Sequence, residues 1–321
     1  MFKTRVTEIL GIEYPLIVGT MYPITKAELV AAVGNAGSLS IIPTVAFETK
    51  EALREEIKKT KSLTDKPFGV NINLFPGVMP LSPEECIDAA TEEGVKVIET
   101  SGRSPAPYAE RIKSSGAVFM HKCARVRDTR TAERVGADIV EIVGFECGGH
   151  PSAEEVTTVV LLPQAVDTVQ IPVIGGGGFG DGRGFIACLA LGAEGVLMGT
   201  RFMATKECPL HDNFKQAFIE AAETATVMAQ KSIGDPVRVL RNETVEKVLE
   251  LEKKGATLEE LMPFISGKLG REAMATGDVK SGMMACGQVV GLLHDIPTVK
   301  EVVDSIINEA KEVMGRLRRL S

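Results

Sequence analysis

The 321-residue chain has no apolar run of 18 residues, no cysteine pair in a C-x-x-C spacing and no excess of basic charge. Each absence removes a class of function. Without an apolar run long enough to cross hydrocarbon, membrane insertion is not expected. With 43 acidic against 36 basic side chains and a net charge of -7, no general basic face is available for nucleic acid or an anionic membrane surface. A local basic pocket for a phosphate or a nicotinamide is still compatible with that balance. The six cysteines, at 86, 123, 147, 188, 208 and 286, are scattered, as reduced thiols of a cytoplasmic protein would be. The four histidines do not cluster, so no metal site is expected. The opening residues Met1-Phe2-Lys3-Thr4-Arg5 lack the apolar stretch of a signal peptide, which also fits a cytoplasmic location. No repeat or low-complexity tract appears.

What is present is a full complement of core residues, 44% hydrophobic, arranged with a period. Short runs rich in Val and Ile recur at a spacing of about 25 residues, separated by amphipathic segments, which is the pattern of βαβ units. The expected strands are 15–19, 39–43, 68–74, 95–100, 118–122, 139–143, 173–176 and 195–199. They are nearly continuous in apolar residues, as parallel strands covered by helices are. Expected helices lie at 26–36, 50–61, 82–93, 105–115 and 125–135, four of the helix ends falling near Gly37, Gly94, Gly116 and Gly136. Eight such units predict an α/β fold of the (β/α)8 TIM-barrel kind, with active-site residues at the C-terminal strand ends.

Beyond Arg201 the pattern changes. Residues 211–280 read as helices without strands, at 213–226, 243–254 and 258–261, followed by a glycine-rich stretch from Gly267 to Gly282. A barrel over 1–210, a mainly helical lobe over 211–280 covering the site, and returning C-terminal helices over 281–321 are expected. The last helix, 298–320, ends in Arg316-Leu317-Arg318-Arg319, a basic terminus that complements the helix dipole.

The strongest local signal is Pro172-Val173-Ile174-Gly175-Gly176-Gly177-Gly178-Phe179-Gly180-Asp181-Gly182. A buried strand runs into a glycine-rich turn and then a helix starting near Asp181. One unit later Gly195-Val196-Leu197-Met198-Gly199-Thr200-Arg201 repeats that geometry. Glycines at strand ends let the backbone approach a phosphate, and helix N-terminal N–H groups donate to it. In barrels the phosphate site commonly follows strands seven and eight, and both turns fall there. A tight turn without a ligand is the plainer alternative. Other strand ends add Met21 after strand one, Asn71 and Asn73 on strand three, His121-Lys122-Cys123 on strand five, and Gly144-Phe145-Glu146-Cys147-Gly148-Gly149-His150-Pro151 after strand six. Lys122 would bring positive charge into the barrel mouth, which favours a reduced, anionic flavin. His150, in a Gly-Gly-His-Pro loop, would act as acid or base or bond a substrate oxygen. His121 reads as a packed neighbour, and His211 and His294 lie outside the mouth. Cys147 invites comparison with barrel nucleotide dehydrogenases that use a cysteine, but a nucleophilic thiol needs an electropositive setting.

Taken together, Gly11-Ile12-Glu13-Tyr14-Pro15, Lys66-Pro67-Phe68-Gly69-Val70-Asn71, Gly148-Gly149-His150, Gly176-Gly177-Gly178-Phe179-Gly180-Asp181-Gly182 and Met198-Gly199-Thr200-Arg201-Phe202 resemble the nitronate monooxygenase family over essentially the whole chain. The resemblance implies a barrel that binds FMN. His121-Lys122-Cys123, Gly144-Phe145-Glu146-Cys147, His150-Pro151, Leu161-Leu162-Pro163, Thr205-Lys206-Glu207-Cys208-Pro209 and Phe75-Pro76-Gly77-Val78-Met79-Pro80 look most like its NAD(P)H:quinone reductase branch. It further implies that Met21 touches the flavin and Lys122 lies by its pyrimidine edge, with Asn71 among the cofactor contacts. Gly148 and Gly149 would pass beside the cofactor. Gly177, Gly178, Gly199 and Thr200 would hold the phosphate, and His150 would face the substrate. Departures from the family pattern are Thr20 and Tyr22 around Met21, and Ser152 where the branch commonly has Gly. The expected activity is two-electron transfer from NAD(P)H to a quinone, with a small molecule as partner. Alternatives are oxidation of alkyl nitronates with O2, reduction of an enoyl thioester, and a flavin-binding protein without catalysis.

Overall fold

In the computed structural model, which describes residues 2–75 and 79–320, eight parallel strands close into a barrel in sequence order. They are β1 (Leu16–Val18), β2 (Leu39–Pro43), β3 (Gly69–Asn73), β4 (Val97–Ser101), β5 (Val118–Cys123), β6 (Ile139–Val143), β7 (Val173–Gly176) and β8 (Gly195–Met198). Closure is made by β1, which pairs with β2 through Ile17 and Val18 and with β8 through Leu16, Ile17 and Val18. Each observed strand falls within two residues of the span its apolar run indicated. The (β/α)8 fold follows from burial on both faces, one against the barrel interior and the other against the helices.

Period-two alternation sorts each strand into an inner and an outer set. Ile17, Leu39, Ile41, Val97, Met120, Ile139, Ile174 and Leu197 form one buried cluster, joined from below by Val6 and Leu10 of the short helix Arg5–Leu10. The opposite parity packs against the helices in the larger cluster, with Ile98, Phe119, Val140 and Val173 among its members. Two residues on from Val97, Met120 and Ile139 come Glu99, Lys122 and Glu141, which therefore point the same way, one layer nearer the strand tips. The barrel interior is apolar at its base and charged above.

Past the barrel, the region expected to lack strands contains an antiparallel hairpin. β9 (Thr226–Ala229) pairs with β10 (Val237–Leu240). The preceding helix ends at Ile219, not at residue 226. The runs Thr-Val-Met-Ala and Val-Arg-Val-Leu are half β-branched and too short for a stable helix, and Gly234-Asp235-Pro236 lies between them. The hairpin and the helices Glu243–Lys253 and Leu258–Ile265 share a small core of Ala229, Val237, Val239, Val245, Val248 and Leu261. The glycine-rich stretch after 267 is itself largely helical, over Gly267–Thr276. Ser266 caps its start, and Gly277 stops it at φ 73°. Among the described residues no helix is long and apolar enough to cross a membrane.

The final helix, Val299–Arg318, opens with a Thr298–Glu301 capping box and lies against the helix Gly182–Ala190. Gly182 permits that approach. A Cβ there would come within 2.5 Å of Ala310 N and 2.6 Å of Ile306 O. Because both are backbone atoms, neither side can relax cheaply. Gly182→Ala is expected to cost about 1–3 kcal/mol through overpacking, read as a lower urea midpoint at unchanged slope.

Candidate functional site

The rim at the C-terminal strand ends holds the site, in three connected parts. The first is a backbone cradle. Gly177 (φ 99°) and Gly178 (φ 78°) follow β7 in the left-handed region, where other residues are strained. A Cβ on Gly177 would also meet Thr158 Oγ1 at 2.8 Å. The N–H groups of Gly177, Gly178, Gly199 and Thr200 have no acceptor among the described residues. Four such donors on adjacent strand tips make a concavity of the kind that suits an anion.

The helix N-termini contribute less than expected. Asp181 Oδ1 accepts from Gly184 N at 2.8 Å, and Glu309 Oε2 accepts from Gly182 N at 2.7 Å, so the start of Gly182–Ala190 is already satisfied. Glu146 likewise accepts from Thr158 N and from Thr158 Oγ1 at the start of the helix Thr158–Val166. The free donors are therefore those of the turns.

Met21 borders this cradle, since its Sδ lies 3.5 Å from where a Gly199 side chain would begin. Thr200 Oγ1 accepts from Gly287 N at 2.9 Å. Gly148 passes under the same segment, so closely that a Cβ would stand 2.6 Å from the Cys286 carbonyl carbon. Gly149 instead exchanges backbone hydrogen bonds with Arg238 of β10, at 3.1 and 2.7 Å. Arg238 is buried, stands 4.4 Å from the Phe145 ring centroid and donates to Phe145 O. The hairpin is thus fastened to the loop that leads to His150.

The second part is a charged cluster inside the rim. Lys122 Nζ lies 2.8 Å from Glu99 Oε1 and 3.3 Å from Glu141 Oε2. Both carboxylates are 0% exposed, and the lysine side chain is 19% exposed. Asn71 Nδ2 donates to Glu99 Oε2 and to Ser101 Oγ, the latter at 3.1 Å. Thr20 Oγ1 donates to Glu99 Oε2 at 3.0 Å, joining the cluster to the loop that bears Met21. Burial and the two carboxylates act oppositely on Lys122, and the carboxylates prevail, raising its pKa. Burial pushes Glu99 up, but Lys122 and the hydrogen bonds from Glu141 and Thr20 bring it below the usual carboxylate range. Burial and then Glu99 push Glu141 well above that range.

Asn71 and Lys122 were singled out in the sequence, whereas Glu99 and Glu141 were not. The signal was present, because each is a lone acid in an apolar strand, Val97-Ile98-Glu99-Thr100 and Ile139-Val140-Glu141-Ile142-Val143. An acid at such a position requires a buried partner.

The third part is the outer wall. His150 is 44% exposed at the side chain, with Nε2 3.5 Å from Asp235 Oδ1 of the hairpin. Its ring centroid lies 5.4 Å from that of Phe75. Tyr22 Oη accepts from Arg271 Nη1 at 2.8 Å, linking the β1 loop to the helix Gly267–Thr276. Pro76, Gly77 and Val78, part of the loop compared above, lie outside the described residues. His121 faces the helices with Nδ1 2.8 Å from Thr100 Oγ1, and burial lowers its pKa to about 4. His211 accepts from Asn213 N as a helix cap. Burial pushes the Cys147 thiol up to about 12, which leaves it a thiol and not a nucleophile at neutral pH.

A closed barrel with an amide cradle after β7 and β8 and a lysine in its mouth is a (β/α)8 scaffold whose polar groups gather at the C-terminal strand ends. Known proteins narrow the class. The family described as nitronate monooxygenase matches residues 3–309. FabK from Thermotoga maritima is 37% identical with a TM-score of 0.93, the match covering 100% of both chains. A (3aS,4S,5R,7aS)-5-hydroxy-7a-methyl-1-oxo-octahydro-1H-indene-4-carboxyl-CoA dehydrogenase from Rhodococcus jostii is 32% identical over 98% of this chain and 99% of its own. A probable nitronate monooxygenase from Staphylococcus saprophyticus is 29% identical, with the same coverage. The chain belongs to the nitronate monooxygenase family, and it is an oxidoreductase of that family.

Removing the cation from the charged cluster gives a signed test. In the wild type the depressed Glu99 contributes stability that is present above its unfolded value of 4.5 and is lost as pH falls. In Lys122→Met, burial without a counter-charge raises both carboxyls, so stability is present below that value and is lost as pH rises. The variant should be less stable by about 3–5 kcal/mol at pH 7. The deficit should shrink toward pH 4.5 in urea titrations at the two pH values. A deficit independent of pH would contradict the charge assignment.

Proposed function

We propose that the chain is an FMN-dependent oxidoreductase that takes a hydride from NADH or NADPH and passes two electrons to a quinone-type acceptor. The observation that carries the reading is the pairing of an amide cradle whose donors have no protein acceptor with a partly exposed ammonium across one rim. A phosphate tail suits the N–H groups of Gly177, Gly178, Gly199 and Thr200, where Gly177 and Gly178 take positive φ and no protein acceptor competes. Lys122 presents its charge to the mouth, while the countercharge of Glu99 sits deeper in the barrel. An electron-rich ring edge placed at the mouth therefore meets the cation first.

When bound, FMN supplies hydride acceptance and two-electron transfer. Met21 packs beside Gly199 at the edge of the cradle, where it would touch the flavin. Asn71 and Thr20 orient Glu99 and so fix Lys122. His150, half exposed with its ring tilted 44° to that of Phe75, suits a planar substrate and offers a ring N–H to a carbonyl oxygen. Gly148 and Gly149 hold the His150 loop against the 286–287 segment and β10.

A second reading has a specific observation in its favour. The Rhodococcus relative that aligns over nearly the whole chain is named for a carboxyl-CoA substrate, which supports a CoA thioester as the small-molecule partner.

Anaerobic mixing of the purified protein separates the readings. Fast loss of the flavin band with NADH or NADPH, followed by recovery on adding a quinone, is the expected result. Bleaching by an acyl-CoA thioester, or recovery only with an enoyl thioester, would favour the second reading. Bleaching by ethylnitronate alone would refute both and point to monooxygenase chemistry. His150→Ala should retain bound flavin and lose about 100-fold in turnover; loss of the cofactor would make the loop structural.

A further inference from the structure

Two fully buried carboxyl groups share one lysine in the barrel interior. Lys122 approaches Glu99 at 2.8 Å and Glu141 at 3.3 Å, and neither oxygen of Glu141 meets a well-directed hydrogen-bond donor. If all three groups were charged, the buried cluster would carry a net charge of -1 with no second cation. Holding an uncompensated charge away from water costs several kcal/mol, and a carboxyl group avoids that cost by keeping its proton. Glu99 has the better claim to ionise. It has the shorter contact with Lys122 and accepts from Thr20 and Asn71, whereas Glu141 has neither support.

We propose that Glu99, Lys122 and Glu141 act as a one-proton source for the reaction, with Glu141 holding that proton at rest. The proposal rests on the reductase reading above. An acceptor that gains a hydride equivalent also needs one proton. Glu141 gives it to Glu99, and Glu99 passes it on to the mouth through the hydroxyl of Thr20, which lies 3.0 Å away and is only half buried. The trio moves from net charge 0 to -1, Lys122 remains an ammonium throughout, and solvent later returns the proton. The acceptor gains two electrons and two protons, one proton arriving with the hydride and the other from the trio. The nicotinamide supplies the electrons.

The surroundings fit a store of one proton. Lys122 faces Glu141 from β5 and Glu99 faces it from β4, while Cys123 lies on the outer, helix side of β5. Burial raises Cys123 well above its ordinary value, so it stays neutral. Along β7, residues Val173–Gly176 present no titratable side chain. His121 points to the opposite side of β5 and is uncharged at neutral pH. The raised affinity of Glu141 for its proton, from burial and then Glu99, agrees with the geometry. Glu141 acts through other groups and is a positioning residue for the proton, not a group that touches substrate.

The test has two arms, both on protein with its cofactor in place. At pH 7, infrared difference spectra of wild type against Glu141→Gln should show one un-ionised carboxyl band that the variant lacks. Glu99→Gln should lose the same band, because Glu141 then ionises against Lys122. Lys122→Met should gain a second band. A spectrum in which Glu141→Gln removes no such band overturns the assignment. In turnover with NADH or NADPH and a quinone, Glu141→Gln should fall at least ten-fold. It should also lose the decline in kcat with rising pH expected of the wild type as the trio empties. An unchanged pH profile overturns the role of the trio as a source even if the band is found. The infrared arm uses no substrate, so a wrong acceptor class and a wrong proton assignment would fail separately.

Discussion

The architecture depends on one constraint, the pairing of β1 with both β2 and β8. Three residues, Leu16 to Val18, complete the ring and bring every strand tip to a single rim. Side-chain direction then follows from strand parity. Inner positions at the base are Ile, Leu, Val and Met and fill the barrel as a solid core. The next inner positions on β4, β5 and β6 are Glu, Lys and Glu. The charged cluster is thus a layer of the barrel itself, in a place where ions are tolerated only if they satisfy one another.

The site combines a soft and a hard recognition element. The cradle after β7 and β8 is backbone, shaped by glycines whose replacement would fill the space, and its donors are unpaired. The cluster under β4 to β6 is side chain, tightly coupled, and shielded on all but the Lys122 face. One element binds through geometry that any chain with the same turns could make. The other depends on particular acids that set where charge and protons reside.

Most of the barrel was legible because its signals are local. Continuous apolar runs, helix-stopping glycines and the Gly175–Gly178 turn announce themselves within a few residues. The hairpin was missed because Thr226–Ala229 and Val237–Leu240 are short, and their pairing is defined by contacts with Gly149 and a separate small core. Glu99 and Glu141 were missed for a related reason. An acid in a strand reads as a surface residue until the register brings Lys122 beside it. The occupied helix N-termini depended on Glu146 and Glu309, the latter more than a hundred residues from its partner Gly182.

Arg238 gives the outer wall an unusual provenance. Its backbone holds Gly149 and its guanidinium holds the carbonyl of Phe145, so the strand-six loop takes its shape from a residue nearly ninety positions downstream. On the reading proposed above, selectivity on this flank is inherited from the hairpin. Insertions or drift between β9 and β10 would retune what the enzyme accepts while leaving the eight-stranded frame untouched, a route by which one scaffold diversifies without risking its foundation.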